Sequence, residues 1–465
     1  MSSWFHTAAA SSRAPRLRAA HPARLVLLLA LMAGGIPAAE ARHARVTAWP
    51  DGTDTLSIEN MEGIVMLRAT ATLRNGVDTT GTWVLDTGAG YLALDAELAQ
   101  RGGLAGEAPR VGESVGLASH ALPRLRMGTM TRDQVTPVLT MRAGMVRDIT
   151  DRPVLGLIGQ QIVRDRTLWV DYGALQVAMI PSSGDEPATD DDDDAALHAR
   201  VARSRAQLAG ILGPRAQPVP FTLAGDGKVL VIATVRDASP KHRSRPLTLI
   251  VDTGASKSVL FEHSLGRVVQ GHASWRSRGG LVAPTLLGPA QARIARVPAI
   301  ALDGPADDGQ IHRAAEVENL DAVIADSPLQ AQLEQVTGVD IHGLLGYSFL
   351  RHYRFGIDYP NRVMWLDPVT VGEDERPHEY SHVGMQLERR DGRVVVVAVA
   401  EQSPAEVGGV QVGDEVLAID GWVIGSGALT EAAQRLEGPP GSTVAVRIKR
   451  DGATRDVRLK RERLL

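Results

Sequence analysis

Trp83-Val84-Leu85-Asp86-Thr87-Gly88-Ala89 is answered 166 residues later by Leu249-Ile250-Val251-Asp252-Thr253-Gly254-Ala255. Each copy runs from an apolar, strand-like stretch into turn chemistry and then into a second apolar stretch, Tyr91-Leu92-Ala93-Leu94 in one case and Ser258-Val259-Leu260-Phe261 in the other. That pattern places each carboxylate on a tight turn at a strand end. One Asp-Thr-Gly reads as a strand-capping turn. Two in the same setting predict a pair of facing carboxyls.

A second pair of landmarks makes the recurrence a repeat. Leu155-Gly156-Leu157-Ile158-Gly159 follows the first Asp and His342-Gly343-Leu344-Leu345-Gly346 follows the second, and behind them Arg164 matches Arg351, Asp171 matches Asp358 and Tyr172 matches Tyr359. The offset has grown to 187 at these positions, so the second unit carries 21 additional residues, expected between Leu302 and Leu333. Internal duplication is the reading these spacings support.

At these residues the chain resembles the aspartic protease superfamily, each half looking like a retropepsin-type lobe. Together with the C-terminal unit described below, it resembles bacterial aspartyl protease and PDZ domain proteins. The resemblance implies a mainly β, bilobal fold of two tandem retropepsin-type β-barrel lobes followed by a PDZ domain. It also implies that the apolar-apolar-Gly strand passes beneath each Asp turn and that the Thr hydroxyls bond across a pseudo-twofold axis. Asp86 and Asp252 are then the catalytic residues, with Thr87, Gly88, Thr253 and Gly254 supporting them.

The chemistry stands beside the analogy. Two carboxyls about 3 Å apart share one proton, because both cannot ionise. One then acts as base toward a water and the other as acid toward a peptide carbonyl and its leaving amine, without a covalent intermediate or a cofactor. Gly88 and Gly254 keep the approach open, since a Cβ would crowd it. Position 90 is Gly where the second copy has Ser256, so a hydroxyl that the family usually has is missing from the first turn. Ala89 and Ala255 deny the carboxylates a further hydroxyl donor, which predicts a less acidic optimum than pepsin's.

Length and composition fit about three domains. The 465 residues are 44% apolar, carry a formal charge of -4 and include no cysteine. That excludes disulfides, thiol catalysis and thiolate metal sites, and the mixed charge distribution argues against a nucleic-acid partner. Arg13, Arg16, Arg18 and Arg24 precede the apolar run Leu25 to Ala33 and the small residues around Ala39-Glu40-Ala41. This is the order of a secretory signal over residues 1–41, so the protein is expected in the periplasm or bacterial envelope, touching membrane only if the segment is retained. The first lobe is expected over 46–180, an acidic linker with a short helix over 181–215, the second lobe over 216–370 and the PDZ domain over 380–465. Asp190 to Asp194 reads as solvated linker. Flaps are sought at Gly112 to Leu117 and Ser277 to Val282.

In the last unit, Gln402-Ser403-Pro404-Ala405, Gly409-Val410-Gln411-Val412-Gly413-Asp414 and Ile419-Asp420-Gly421 carry the PDZ resemblance. Val383, Gly384, Met385, Gln386 and Leu387 would form the loop that holds a peptide C-terminus while the peptide adds as a strand. His378-Glu379-Tyr380-Ser381-His382 fits a zinc-binding spacing, but Pro377 and Gly384 deny it the necessary helix, so a domain-joining loop is expected and no metal. The sequence therefore predicts an exported, monomeric aspartic endopeptidase acting on protein or peptide substrates, with a PDZ domain for recruitment or regulation. The alternative is an inactive pair of lobes in which the PDZ groove supplies a peptide-binding function.

Overall fold

The structure is a computed structural model and describes residues 46, 48–61, 63–104, 115–142, 152–182, 194–236, 244–285, 288–306, 310–369, 381–425 and 429–465. Residues 1–41, the segment expected to direct export, lie outside them. The described chain is mainly β, with one short helix after each Asp turn, a longer helix in mid-chain and a C-terminal PDZ domain.

The duplication is visible in the strand pairing. In the first half, Asp78–Leu85 leads into Asp86 with the Gly-motif strand Val154–Ile158 parallel beside it, and Leu92–Asp95 lies antiparallel on the other side of that strand. In the second half, Leu247–Val251 leads into Asp252 with Gly343–Leu345 parallel beside it and Ser258–Phe261 antiparallel beyond. These strands sit within a nine-stranded and an eight-stranded sheet respectively. Their faces are apolar because the strands are buried on both sides, as parallel pairings require.

A third sheet of six strands joins the halves, in the order Asp54–Ser57, Gln176–Pro181, Arg166–Asp171, Tyr353–Asp358, Val363–Pro368 and Gln217–Pro220. Three strands come from each half. Arg166–Asp171 and Tyr353–Asp358 pair antiparallel at the centre, where Trp169 faces its own repeat-mate Gly356. A Cβ at Gly356 would come within 2.7 Å of the Trp169 ring, so only one of the two copies can carry a side chain there. The helix Asp194–Leu208 covers this sheet, burying Val201 and Leu208 against Trp169, Ala178, Ile180, Val363 and Trp365. Burying aromatic area of this size is worth roughly 3 kcal/mol per ring. Its register is fixed by Ser204, whose Oγ donates to Asp358 Oδ2 at 2.5 Å and accepts from Trp365 Nε1 at 2.8 Å.

Strand registers also locate the additional residues of the second half. The offset between matching positions is 166 at Leu92/Ser258, 177 at Leu117/Ile294, 184 at Leu139/Val323 and 187 at Gly156/Gly343. Half of the insertion thus precedes Ile294, which corrects its expected place between Leu302 and Leu333. That part falls between Ser258 and Ile294, the stretch that contains the strand Ser277–Thr285, the edge of the eight-stranded sheet.

That edge is where the C-terminal domain docks. The PDZ sheet runs Met385–Arg390, Arg393–Val399, Glu415–Ile419, Thr443–Arg450 and Ala453–Lys460, over its own apolar core. Gly279 O accepts from Glu401 N at 3.1 Å, the Gln386 side chain bonds both N and O of Val282, and Leu281, Ala283 and Ile294 pack with Ala400, Leu464 and Leu465. Of the two flap candidates, Ser277 to Val282 is therefore bound to the PDZ domain. In the other, residues 112–114 lie outside the described residues, and Val115–Leu117 pairs with Val138–Met141.

Candidate functional site

The two Asp turns meet at the join between the halves. Thr87 Oγ1 donates to Val251 O at 2.9 Å and accepts from Thr253 N at 3.0 Å; reciprocally, Thr253 Oγ1 donates to Leu85 O at 2.7 Å and accepts from Thr87 N at 3.1 Å. Both threonines are fully buried. Four hydrogen bonds in so dry a place fix the spacing of the turns, because every one of these groups would otherwise be an orphaned polar atom.

This bracing brings Asp86 and Asp252 together, and their carboxyls hydrogen-bond to one another. Each lies over the other turn's glycine: a Cβ at Gly88 would approach Asp252 Cγ to 2.6 Å, and one at Gly254 would approach Asp86 Cγ to 2.8 Å. The glycines are thus demanded by the opposite carboxyl. From below, Asp86 N donates to Ile158 O at 3.0 Å and Asp252 N to Leu345 O at 3.1 Å, which ties each turn to its Gly-motif strand. Gly156 and Gly343 allow this approach, since a Cβ at either would lie 2.0 Å from the carbonyl of Ala93 or Val259.

The pair is chemically asymmetric. Enclosure by protein raises both carboxyls above the ordinary carboxylate range, and Asp252 is raised further because the charge of Asp86 adds to the cost of ionising it. The hydrogen bond between them favours the charged form of Asp86 and the neutral form of Asp252. Gly254 N, at 2.8 Å from Asp252 Oδ1, opposes this less strongly than burial enforces it. The two carboxyls therefore keep one proton between them, with Asp252 the more strongly raised. Asp86 Oδ1 is buried and has no hydrogen-bond partner among the described residues, so it is the acceptor the site leaves open.

The surroundings include groups that sequence reasoning missed. Gln160 and Tyr347 occupy matching positions after the two Gly motifs; Gln160 donates to Thr87 O, and Tyr347 packs edge-on against Tyr172 at 4.8 Å. Burial, with Tyr347 and Asp252 nearby, raises the Tyr172 hydroxyl well above its ordinary range, so it stays protonated. Lys228 and Asp226 form a buried ion pair near the first turn. Gln160 and Tyr347 could have been found from the repeat register, whereas nothing in the sequence singles out Lys228.

In the PDZ domain, Gly384 has a φ of +85° and its N–H donates to His382 Nδ1 at 2.9 Å, while the carbonyls of Val383 and Gly384 accept from Ala405 and Ala400 at 2.8 and 2.7 Å. Val383, Met385 and Leu387 enter the PDZ core and Gln386 is committed to Val282, so all four side chains of the expected five-residue loop face away from the strand edge. Met385–Arg390 ends the sheet and leaves that edge for strand addition. Ser381–His382 is a strand paired with Glu462–Arg463, not a helix; His378 and Glu379 lie outside the described residues. Burial, with Arg461 nearby, lowers His382 to about 4, so its ring is neutral and accepts from Gly384.

In comparison with known proteins, the family model described as PDZ domain matches residues 381–460. The carboxy-terminal processing protease CtpB of Bacillus subtilis is 28% identical over 102 residues, 21% of each chain. A probable CtpA-like serine protease of Staphylococcus haemolyticus is 26% identical over 22% of this chain and 20% of its own. The carboxy-terminal-processing protease of Bartonella bacilliformis is 29% identical over 19% of this chain and 20% of its own. The chain spans about a fifth of the length of the curated relatives it matches. Among solved structures, the photosystem II D1 C-terminal processing protease matches 18% of this chain and 23% of its own at 29% identity with a TM-score of 0.17. The PDZ domain of a carboxy-terminal protease from Vibrio cholerae, in complex with peptide, matches 18% of this chain and 94% of its own at 20% identity, with the same score.

These relatives correct the expectation of an exported aspartic endopeptidase and, with it, the aspartyl, retropepsin-like label. They are described as carboxy-terminal processing or CtpA-like proteases, one of them as a serine protease, and none is described as an aspartic protease. The expectation took short motifs in the first three quarters of the chain as its guide. The similarity to these relatives instead spans 87 to 102 residues, about the size of the PDZ domain, a module whose fold does not by itself fix the chemistry joined to it.

Proposed function

We propose that this protein is a peptide-bond hydrolase in which the PDZ domain takes up the end of a polypeptide and the Asp86–Asp252 pair handles water and protons. The relatives support the class of reaction and the part played by chain ends. The two-lobed, aspartic-protease-like architecture of residues 54–368, with three strands from each half in one shared sheet, belongs to the same reading. The observation that carries it is the reciprocal threonine brace, which sets the two carboxyls face to face. Asp86 would accept a proton from water as it attacks the peptide carbonyl, while Asp252 donates to the carbonyl oxygen; the amine leaves with a proton returned from Asp86. Asp86 and Asp252 are the catalytic residues of this proposal, with Thr87, Gly88, Thr253 and Gly254 holding them.

The test is cleavage of casein and of a peptide with a free or amidated C-terminus by the chain lacking residues 1–41, across pH 3 to 8. Loss of activity in both Asp86→Asn and Asp252→Asn, with faster turnover of the free than of the amidated peptide, is the expected result. Activity that survives both substitutions but is blocked by a serine-directed covalent inhibitor would assign the chemistry to a serine, as in the relative so described. Export through residues 1–41 is part of the proposal and is read from the N-terminus of the protein recovered outside the cytoplasm.

A further inference from the structure

The two turns differ in what packs against them. In each half a hairpin tip reaches across to the other half, and strand register relates Met66 to Leu230 and so Gly63 to Gly227 and Ile64 to Lys228. At the first tip Gly63 lies against Tyr347, Gly63 N donates to Asn60 Oδ1 at 2.8 Å, Asn60 Nδ2 donates to Tyr347 Oη at 3.3 Å, and Ile64 is a buried apolar residue; Glu62, the register-mate of Asp226, lies outside the described residues. The second tip lies against the first Asp turn. A Cβ at Gly90 would meet Asp226 O at 2.6 Å and Asp226 Oδ2 at 2.8 Å, and Gly227 lies beside Gln160, whose amide donates to Thr87 O. Its Asp226 and Lys228 side chains are each only 9% exposed and are ion-paired. A buried charge pair is costly to desolvate and is weak evidence of a stabilising role, which leaves its placement to be explained.

We propose that Lys228 is a positioning residue for the carboxyl pair: through the Asp226–Lys228 ion pair the hairpin tip seats the first Asp turn at Gly90 and holds one positive charge beside Asp86 and Asp252. The inference rests on the reading of that pair as the site. Its charge has no counterpart at Ile64, so it breaks the twofold symmetry of the repeat. Among the described residues, the other ionisable groups on the elements packed here are Tyr172, held protonated by burial, Tyr347 against it, Asp226, which is ion-paired with Lys228 itself, and Lys257, a buried lysine on the second turn. The lysine favours the ionised form of both carboxyls, though less than burial disfavours it. A pair that must lose one proton and keep the other is thereby held in its singly ionised state down to lower pH.

The test is a carboxyl titration by 13C NMR on the full chain lacking residues 1–41, with no substrate, in the unsubstituted protein, Lys228→Met, Lys228→Arg and the double variant Asp226→Asn with Lys228→Met. The first ionisation of the pair, assigned through its loss in Asp86→Asn, is expected to move to higher pH in Lys228→Met and in the double variant and to stay in place in Lys228→Arg. If Lys228→Met fails to fold with Asp226 left unpaired, the double variant decides. A titration unmoved by loss of the charge overturns the proposal even if the protein cleaves peptides. A shifted titration in a protein that cleaves nothing upholds it while the proposed chemistry fails.

Discussion

The two Asp turns share a backbone and differ in their neighbours. Both place an Asp on a parallel strand end, both rest on a glycine strand, and both are clasped by the same threonine exchange. Around this symmetric frame the first turn has Gly90, Gln160 and the Asp226–Lys228 pair, while the second has Ser256, the buried Lys257, Tyr347 and a hairpin tip that reaches it through Gly63 and Asn60. Duplication supplies the geometry and divergence supplies the polarity. Two carboxyls that share one proton act as acid and base whichever of them holds it, and the unlike neighbours bias which one that is.

The largest expected effect breaks the comparison outright. Asp86→Asn and Asp252→Asn should each lower peptide cleavage by roughly 10²- to 10⁴-fold, the range a positioned acid or base contributes, with the fold retained in circular dichroism. Their stabilities should part in a defined direction. Both folded carboxyls titrate above the unfolded value, so between the two the folded state binds more protons and stability falls as pH rises. Substitution by Asn removes that penalty. Asp252→Asn should therefore be more stable than the unsubstituted protein at neutral pH and by a larger margin than Asp86→Asn, the margin closing toward pH 4 in urea unfolding. Equal margins would mean that the proton is not held at Asp252.

The threonine exchange sharpens the symmetric side. Thr87→Val deprives Thr253 N of its acceptor and Val251 O of a donor, and Thr253→Val does the mirror damage to Thr87 N and Leu85 O. With two buried groups orphaned in each, a loss of about 2 to 4 kcal/mol is expected from denaturant unfolding, equal in the two variants within error. A marked inequality would show that one half carries the join.

What the sequence made legible follows the same division. The repeat could be read because each landmark answers a steric demand: Gly156 and Gly343 admit a carbonyl at 2.0 Å, Gly88 and Gly254 admit the opposite carboxyl, and Thr87 and Thr253 reach across. The PDZ strands and the Ser403 cap, whose Oγ accepts from Glu406 N at 3.3 Å, could be read for similar reasons. The shared six-stranded sheet could not, since its central pairing joins residues whose patterns, Arg166–Asp171 and Tyr353–Asp358, say only that they are buried strands. Nor could Lys228 or the Gln386 contact with Val282 be found, because partners far apart in sequence leave no periodicity behind. The expectation that comparison corrects, an exported aspartic endopeptidase, came from the Asp motifs: the relatives found are carboxy-terminal processing proteases, similar to this chain over about a fifth of its length.

The smallest effect lies at the position where the two turns differ by a single side chain. Gly90 reads from sequence as a turn lacking a hydroxyl, but the structure fills that space with the Asp226 carbonyl and carboxylate. Gly90→Ser should then destabilise by about 1 to 3 kcal/mol, because a side chain is forced against a backbone atom that can yield only by moving the whole hairpin tip. Ser256→Gly, on the second turn, removes a side chain without crowding anything and should cost no more than about 1 kcal/mol, through the added freedom of the unfolded chain. The two are compared by urea unfolding at one pH. If Gly90→Ser proves neutral, the hairpin tip does not press on the first turn, and the asymmetry of the pair must arise from Tyr347 and Gln160 instead.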